Sequence, residues 1–293
     1  MRLAIIGASG LVGSHMVDIF PKNFEILKVS NKDNLATNEI SWSKFFSSFL
    51  VTPQLHIDVI VICSQSNSFN SPADSEYFTE LKFLIEKSHA ELVIFFSTGG
   101  LYQFGQYPVN ESTNFRNSND MDHYYHSKYA GESIMSTISS PTKIAFLRPF
   151  FVFGPHQKSK FLFPRITHSI VHQKPILLES YNGPLINPIY VHDVVNITKR
   201  IVLDHKTFFK NTTRITLNLA GQDSFYLRDL VHSMSRIMRF PSPPLCFRIG
   251  KDLNMTSALS DFVIECLDRN KSFKQKILES QSEIFFKNST EIQ

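Results

Sequence analysis

Met1-Arg2-Leu3-Ala4-Ile5-Ile6-Gly7-Ala8-Ser9-Gly10-Leu11-Val12-Gly13-Ser14-His15-Met16 opens the chain, and its reading decides the fold. Leu3 to Ile6 is a short apolar run, suited to a parallel strand buried on both faces. It runs directly into glycines spaced G-x-x-G-x-x-G at Gly7, Gly10 and Gly13. Gly7 makes a tight turn off the strand, Gly10 lets the backbone approach a pyrophosphate, and Gly13 lets the next helix pack closely on the strand. Ser9 sits in the same turn. The N–H groups that open the helix, from Leu11 and Val12 onward, face the phosphates. A glycine pattern alone is weak. Placed at a strand's end and ahead of Leu11, Val12, Met16 and Ile19, it reads as a dinucleotide cradle.

Working outward, Phe24 to Val29 reads as a second strand, ending in Ser30-Asn31-Lys32. NAD-binding versions of such a cradle place a carboxylate here for the ribose hydroxyls. A hydroxyl and a cation suit a 2′-phosphate better, so NADP is the expected cofactor and NAD the alternative. Lys32 could equally be a solvated loop lysine. Asn34 to Pro53 holds at most one compact helix, anchored by Trp42, Phe45, Phe46 and Phe49. Ile57 to Cys63 is a clear buried strand, and the polar loop from Ser64 to Ser75 leaves its carboxyl end, where ligands bind in such sheets. A helix over 76–88 leads to the strand Leu92–Phe96, which ends in Ser97-Thr98-Gly99-Gly100-Leu101-Tyr102. A hydroxyl there can bond a substrate's reacting oxygen, or merely end the strand.

Tyr124 and Lys128 follow in a helix running to about Ile138. Four residues apart on a helix, they lie only ~40° apart around the axis. A tyrosine titrates near ~10 and is a poor base at neutral pH. A neighbouring ammonium favours the phenolate, so Lys128 is expected to lower the Tyr124 pKa and ready it for proton exchange. Tyr125 could compete for the same face, but the four-residue spacing favours Tyr124. Beyond it come a strand over 143–148, the segment Pro149-Phe150-Phe151-Val152-Phe153-Gly154-Pro155 and a helix over 163–173. A helix to about Leu203, a strand over 215–219, a helix over 227–238 and a poorly patterned tail complete the chain.

Composition narrows the classes. Hydrophobic residues at 42% and charged ones at 19% describe an ordinary globular chain, with ample material for a core. A net charge of +4 suits an anionic small molecule, and no Lys/Arg run suggests nucleic acid. Cys63, Cys246 and Cys266 have neither metal spacing nor the even number of a disulfide framework, so no metal is expected. No apolar run approaches the ~20 residues of a spanning helix, and no secretory leader is legible. A cytoplasmic protein with no membrane role is the expectation.

Taken together, these segments resemble the extended short-chain dehydrogenase/reductase family, the NAD(P)-dependent nucleotide-sugar epimerases, dehydratases and reductases. The glycine turn, Ile57-Asp58-Val59-Ile60, Ser97 to Tyr102, the Tyr124/Lys128 pair, Leu147-Arg148-Pro149 with Gly154-Pro155, and Tyr190-Val191-His192-Asp193-Val194 carry the likeness, over residues 1 to about 238. It implies an α/β fold: a Rossmann-like doubly wound parallel sheet with a smaller C-terminal substrate-binding domain. Residues 1–155, rejoined by 187–205, would form the first, and 156–186 with 206–293 the second. It implies a catalytic Thr98, Tyr124 and Lys128. It also implies cofactor contacts at Gly7, Ser9, Gly10, Leu11, Val12, Gly13, Ser30, Asn31, Lys32, Ser64, Ser97, Pro149 and Phe151, besides Tyr124 and Lys128.

Departures from the pattern guide the subfamily. Gly99 and Gly100 stand where dehydratases carry an Asp-Glu pair, so water loss is not expected. Phe151 replaces a diphosphate-binding Asn of many epimerases, and Ile186-Asn187-Pro188 replaces an Arg-Asp pair. The short region between the second and fourth strands resembles 4-ketoreductases acting on nucleotide-linked 6-deoxysugars. The implied activity is a 4-keto-6-deoxysugar reductase in polysaccharide biosynthesis. The alternatives are a nucleotide-sugar epimerase with retained NAD and a non-catalytic dinucleotide-binding regulator. A nucleotide sugar and a second copy of the chain are the implied partners.

Overall fold

In the computed structural model, residues 1–30, 38–51, 56–64, 72–103, 108–139, 141–248 and 254–290 are described, with 72–75 and 282–290 in backbone only. The chain begins with β1 (Arg2–Ile6), α1 (Leu11–Met16), β2 (Glu25–Ser30), β3 (Glu39–Ser41), α2 (Trp42–Val51) and β4 (Val59–Ile62). Next come α3 (Pro72–Ser88), β5 (Leu92–Phe96), α4 (His123–Ser136), β6 (Lys143–Pro149), β7 (Val152–Phe153) and α5 (Leu162–Val171). Then follow β8 (Ile176–Leu178), β9 (Leu185–Ile186), β10 (Ile189–Tyr190), α6 (Val191–Phe208) and β11 (Arg214–Leu219). β12 (Phe225–Tyr226), α7 (Leu227–Met238), β13 (Leu245–Phe247), α8 (Asp261–Cys266) and α9 (Phe273–Thr290) complete it.

The main sheet has the order β11-β6-β5-β4-β1-β2-β3. From β3 to β6 every neighbouring pair is parallel. β1, β4 and β5 are buried on both faces, which is why they read as unbroken apolar runs. The chain winds one way from β1 to β2 and the other way from β4 to β6. The order therefore reverses between β1 and β4, at the switch point where such sheets bind ligands. Register then sets the ends level: Ile6 pairs with Ile62, and Ile62 with Phe95. Gly7, Cys63 and Phe96 consequently follow in one row.

The chain separates into two compact units. The first comprises Met1–Tyr102, Asn114–Pro149 and Val195–Asn218; the second comprises Gln103–Thr113, Phe150–Val194 and Leu219–Gln293. In the first unit, Trp42, Phe45 and Phe49 of α2 join Tyr77, Phe78 and Leu81 of α3 and the apolar strands in one core. β3 was not expected, since Glu39-Ile40-Ser41 is short and only half buried. α1 ends at Met16 and leaves Ile19 outside, with Phe20-Pro21 just beyond biasing the chain away from helix. α6 runs to Phe208, because buried His205 is held by the Val202 carbonyl (2.8 Å) and Glu91 (3.1 Å). No helix among the described residues is long and apolar enough to cross a membrane.

The second unit packs around aromatic rings, with Phe153 stacked on Phe163 (4.4 Å) and Phe225 on Phe273 (4.6 Å). The tail is helical after all, in α8 and α9. Its pattern misled because α9 turns charges inward. Lys276 Nζ donates to Asp193 Oδ2 (2.7 Å), and the Tyr190 hydroxyl donates to Glu279 Oε2 (2.7 Å). Asp193 is almost wholly buried, so removing its cation leaves a carboxylate in low dielectric. Lys276→Met is expected to destabilise the folded chain by about 3–5 kcal/mol. Urea unfolding checks this, and a loss under about 1 kcal/mol would show that the pair does not anchor the tail.

Candidate active site

The turn after β1 is built as its residue types require. Gly7 has φ 94°, in the left-handed region that glycine favours. Its N–H and that of Ala8 both donate to the Val29 carbonyl (2.8 and 3.1 Å). A Cβ at position 7 would lie 2.7 Å from the Ser64 nitrogen, and one at position 13 only 2.2 Å from the Gly7 oxygen. These close approaches bring the turn against the end of β4 and seat α1 on the strand. Gly10 precedes α1 in extended conformation, and no side chain caps that helix start. Its opening turn, with Leu11 and Val12, keeps donors for an anion. Ser97, at the end of β5, is buried, and its hydroxyl has no partner among the described residues. An uncapped helix start after β1 and an orphaned hydroxyl at the end of β5 fit a pyrophosphate and ribose.

Ser9 and Ser30 bond each other across the turn at 3.0 Å, and Ser30 is fully buried. The Ser30 hydroxyl is thus engaged with the cradle itself. That removes one of the three residues on which the NADP expectation stood. The other two, Asn31 and Lys32, lie outside the described residues. At the end of β4 the Ser64 hydroxyl bonds that of Tyr77, a contact that no spacing in the sequence signals. Pro149 ends β6 in the first unit. Phe151 belongs to the second unit, where it takes φ 43°, uncommon for a bulky residue.

Thr98, Tyr124 and Lys128 come together in the first unit. Thr98 caps a short 3-10 turn over Gly99–Leu101, its Oγ1 accepting from the Gly100 N–H at 3.1 Å. Thr98 lies close enough to the Tyr124 hydroxyl to act against the rise of its pKa. Asp122 caps α4 by accepting from the Tyr125 N–H at 3.0 Å. Lys128, nearly buried one turn on from Tyr124, donates to the carbonyls of Phe96 (2.7 Å) and Ser64 (3.2 Å). The two tyrosines take different surroundings. The Tyr125 ring occupies the room a Cβ at Gly100 would take (2.1 Å to Cε1) and lies under the Arg116 guanidinium (4.4 Å). The glycine in the place of a dehydratase carboxylate is where Tyr125 packs.

The electrostatics depart from expectation. Burial pushes the Tyr124 hydroxyl up to about 12, with Thr98 acting the other way. Tyr124 nonetheless keeps part of its surface open. Burial also brings the Lys128 ammonium down to about 8, opposed by Cys63 and Glu132. Lys128 Nζ stands 6.0 Å from the Tyr124 ring centroid, with two of its three protons given to carbonyls. It therefore does not lower the Tyr124 pKa in this arrangement. Tyr124 is a neutral hydroxyl, ready to give a proton, beside a cation close to its own titration. The Cys63 thiol, pushed up to about 12 by burial, is no nucleophile.

Residues 3–219 match the family model described as the NAD dependent epimerase/dehydratase family. No curated protein matches the sequence. Among solved structures, a UDP-glucuronic acid 4-epimerase from Bacillus cereus, in complex with UDP-glucuronic acid and NAD, is similar with a TM-score of 0.79 at 16% identity. That match covers 98% of this chain and 99% of that one. A UDP-glucose 4-epimerase from Thermus thermophilus complexed with NAD gives a TM-score of 0.76 at 16% identity, covering 96% and 98% of the two chains. A UDP-N-acetylglucosamine 4-epimerase from Methanobrevibacter ruminantium, in complex with UDP-N-acetylmuramic acid, gives 0.76 at 16% identity, covering 98% of each. At such identities the structural likeness speaks for the fold alone. The family model reaches from the first residues of β1 to the end of β11, and the chain belongs to the NAD-dependent epimerase/dehydratase family, within the extended short-chain dehydrogenase/reductases that its motifs resemble.

Proposed function

We propose that the protein is an NAD-dependent 4-epimerase of a UDP-linked sugar, with Thr98, Tyr124 and Lys128 as its catalytic residues. The grouping of those three side chains beside the glycine cradle is the observation that carries this reading. The UDP-sugar epimerases among the similar structures support it over a 4-keto-6-deoxysugar reductase. NAD is preferred to NADP because the similar structures hold NAD and because Ser30 is engaged with Ser9. A non-catalytic regulator would have no use for a hydroxyl pair beside a buried ammonium. The second unit would take the nucleotide sugar. The reductase reading keeps one specific support, the short connection between β2 and β4.

When bound, the dinucleotide would supply the acceptor and donor of hydride. The chain's own residues manage the proton. Tyr124 takes it from the sugar hydroxyl as that oxygen becomes a carbonyl, and returns it when the hydroxyl reforms. Thr98 Oγ1, on the same side as Tyr124, holds the same oxygen. Lys128 stabilises the phenolate by its charge and would bond the nicotinamide ribose. Because Tyr124 stands near 12 with Lys128 facing the carbonyls of Ser64 and Phe96, proton abstraction requires the ammonium to turn toward the phenol. Proton donation requires no such change.

Four outcomes follow. Purified protein incubated with a panel of UDP-hexoses should yield the 4-epimer by NMR without added cofactor. Consumption of NADPH by 4-keto-6-deoxy nucleotide sugars, with no epimer formed, would instead establish the reductase. Tyr124→Phe should lower kcat by ~10²–10⁴-fold, the usual scale of a lost proton transfer. Tyr125→Phe, which keeps the ring on Gly100, should cost less than about threefold in the same assay. The pH dependence has a definite sign. Lys128 is charged below about 8 and neutral above it, so kcat/KM should fall as pH rises through that value, and a flat profile from pH 7 to 10 would contradict its role.

A further inference from the structure

Glu132 lies one turn beyond Lys128 on α4, on the same face. Its carboxylate accepts a forked pair of bonds from Arg148 of β6, Nε to Oε1 at 2.9 Å and Nη2 to Oε2 at 2.7 Å. The third arm, Arg148 Nη1, donates to the Tyr102 hydroxyl at 2.7 Å, and that hydroxyl donates to Asn218 Oδ1 of β11 at 2.7 Å. The guanidinium also lies 4.5 Å from the Phe115 ring centroid, and Phe115 meets Tyr129 of α4 edge-on at 5.9 Å. Arg148, Glu132, Tyr102 and Asn218 are 6%, 7%, 3% and 0% exposed. Such a buried pair is a poor way to gain stability, since apolar residues of equal volume often do as well. What it offers is a unique geometry.

The two ends of this network are telling. Glu132 belongs to the helix that carries Tyr124 and Lys128. Tyr102 closes the 3-10 turn that Thr98 opens. We propose that Arg148, acting with Glu132, is a positioning residue: one guanidinium holds the Thr98 turn and the Tyr124–Lys128 helix in a single mutual geometry. This rests on the proposed role of those three residues in proton transfer. The arrangement has an electrostatic side as well. Lys128 is faced by Tyr124 and Glu132 from its own helix, by Cys63 from the end of β4, and by Arg148 through Glu132. Of these, the Glu132 carboxylate acts to keep its proton on against burial, while the Cys63 thiol stays neutral. A carboxylate held in place by Arg148 therefore serves both the position and the charge of Lys128.

Three variants separate this from a purely structural role. Tyr102→Phe keeps the ring and the ion pair and removes only the hydroxyl link. It should lower kcat by about 10–100-fold, the scale of a small misplacement, with KM, retained cofactor and melting temperature unchanged. Glu132→Gln keeps the shape and removes the charge. It should move the alkaline limb of kcat/KM about one pH unit lower, and the titration of Lys128 Nζ, followed by 15N NMR without substrate, should move with it. Arg148→Lys keeps a cation but not the fork, and should lose kcat as Tyr102→Phe does. A melting temperature that falls in Glu132→Gln while both titrations stay in place would overturn the proposal, as would an unchanged kcat in Tyr102→Phe. If Glu132→Gln fails to fold, the kcat and KM of Tyr102→Phe decide. Should the wild type turn over no UDP-sugar, the functional reading fails, and the Lys128 titration still decides the inference.

Discussion

A buried ammonium must find oxygen acceptors, and Lys128 finds them at the ends of two adjacent strands. Its bonds to the carbonyls of Phe96 and Ser64 join α4 to the carboxyl edges of β5 and β4. Those edges are level because Ile62 pairs with Phe95 on one side and with Ile6 on the other. The same register delivers Gly7 against Ser64, so the glycine turn and Lys128 share one wall.

The polar groups along this wall follow from that placement. Thr98 caps the turn that leaves β5 and acts against the rise of the Tyr124 pKa. Gly100 leaves space for the Tyr125 ring, which keeps the second tyrosine of the pair with Arg116. Burial then acts in opposite senses on the two titrating groups, raising the phenol and lowering the ammonium. Their pKa values stand farther from a shared proton than a Tyr–Lys pair in a sequence suggests. Catalysis by such a pair depends on which acceptors Lys128 keeps when its carbonyls compete with a ligand.

Much of this was legible in the residues. The glycine turn, the apolar strands and the Tyr124/Lys128 spacing announce themselves through local rules, because each is governed by near neighbours. α7, with its strong apolar stripe, was placed at Leu227–Met238 as observed. What escaped depends on partners far along the chain. α9 looked unpatterned because Lys276 and Glu279 face Asp193 and Tyr190, so its buried side is partly charged. The Arg148–Glu132–Tyr102–Asn218 network joins residues from four segments, and no local spacing signals it. The Lys128 carbonyl bonds escaped likewise, since helical spacing speaks of Tyr124 and not of strand ends.

The central claim is that one bound cofactor removes and returns the same hydride while Tyr124 handles the proton. A UDP-hexose carrying deuterium at C4 tests this most directly, with the product analysed by mass spectrometry and NMR after epimerisation in ordinary water. The account predicts that both epimers keep the deuterium at C4. Deuterium lost to solvent, or a product reduced by hydride from outside, would contradict it.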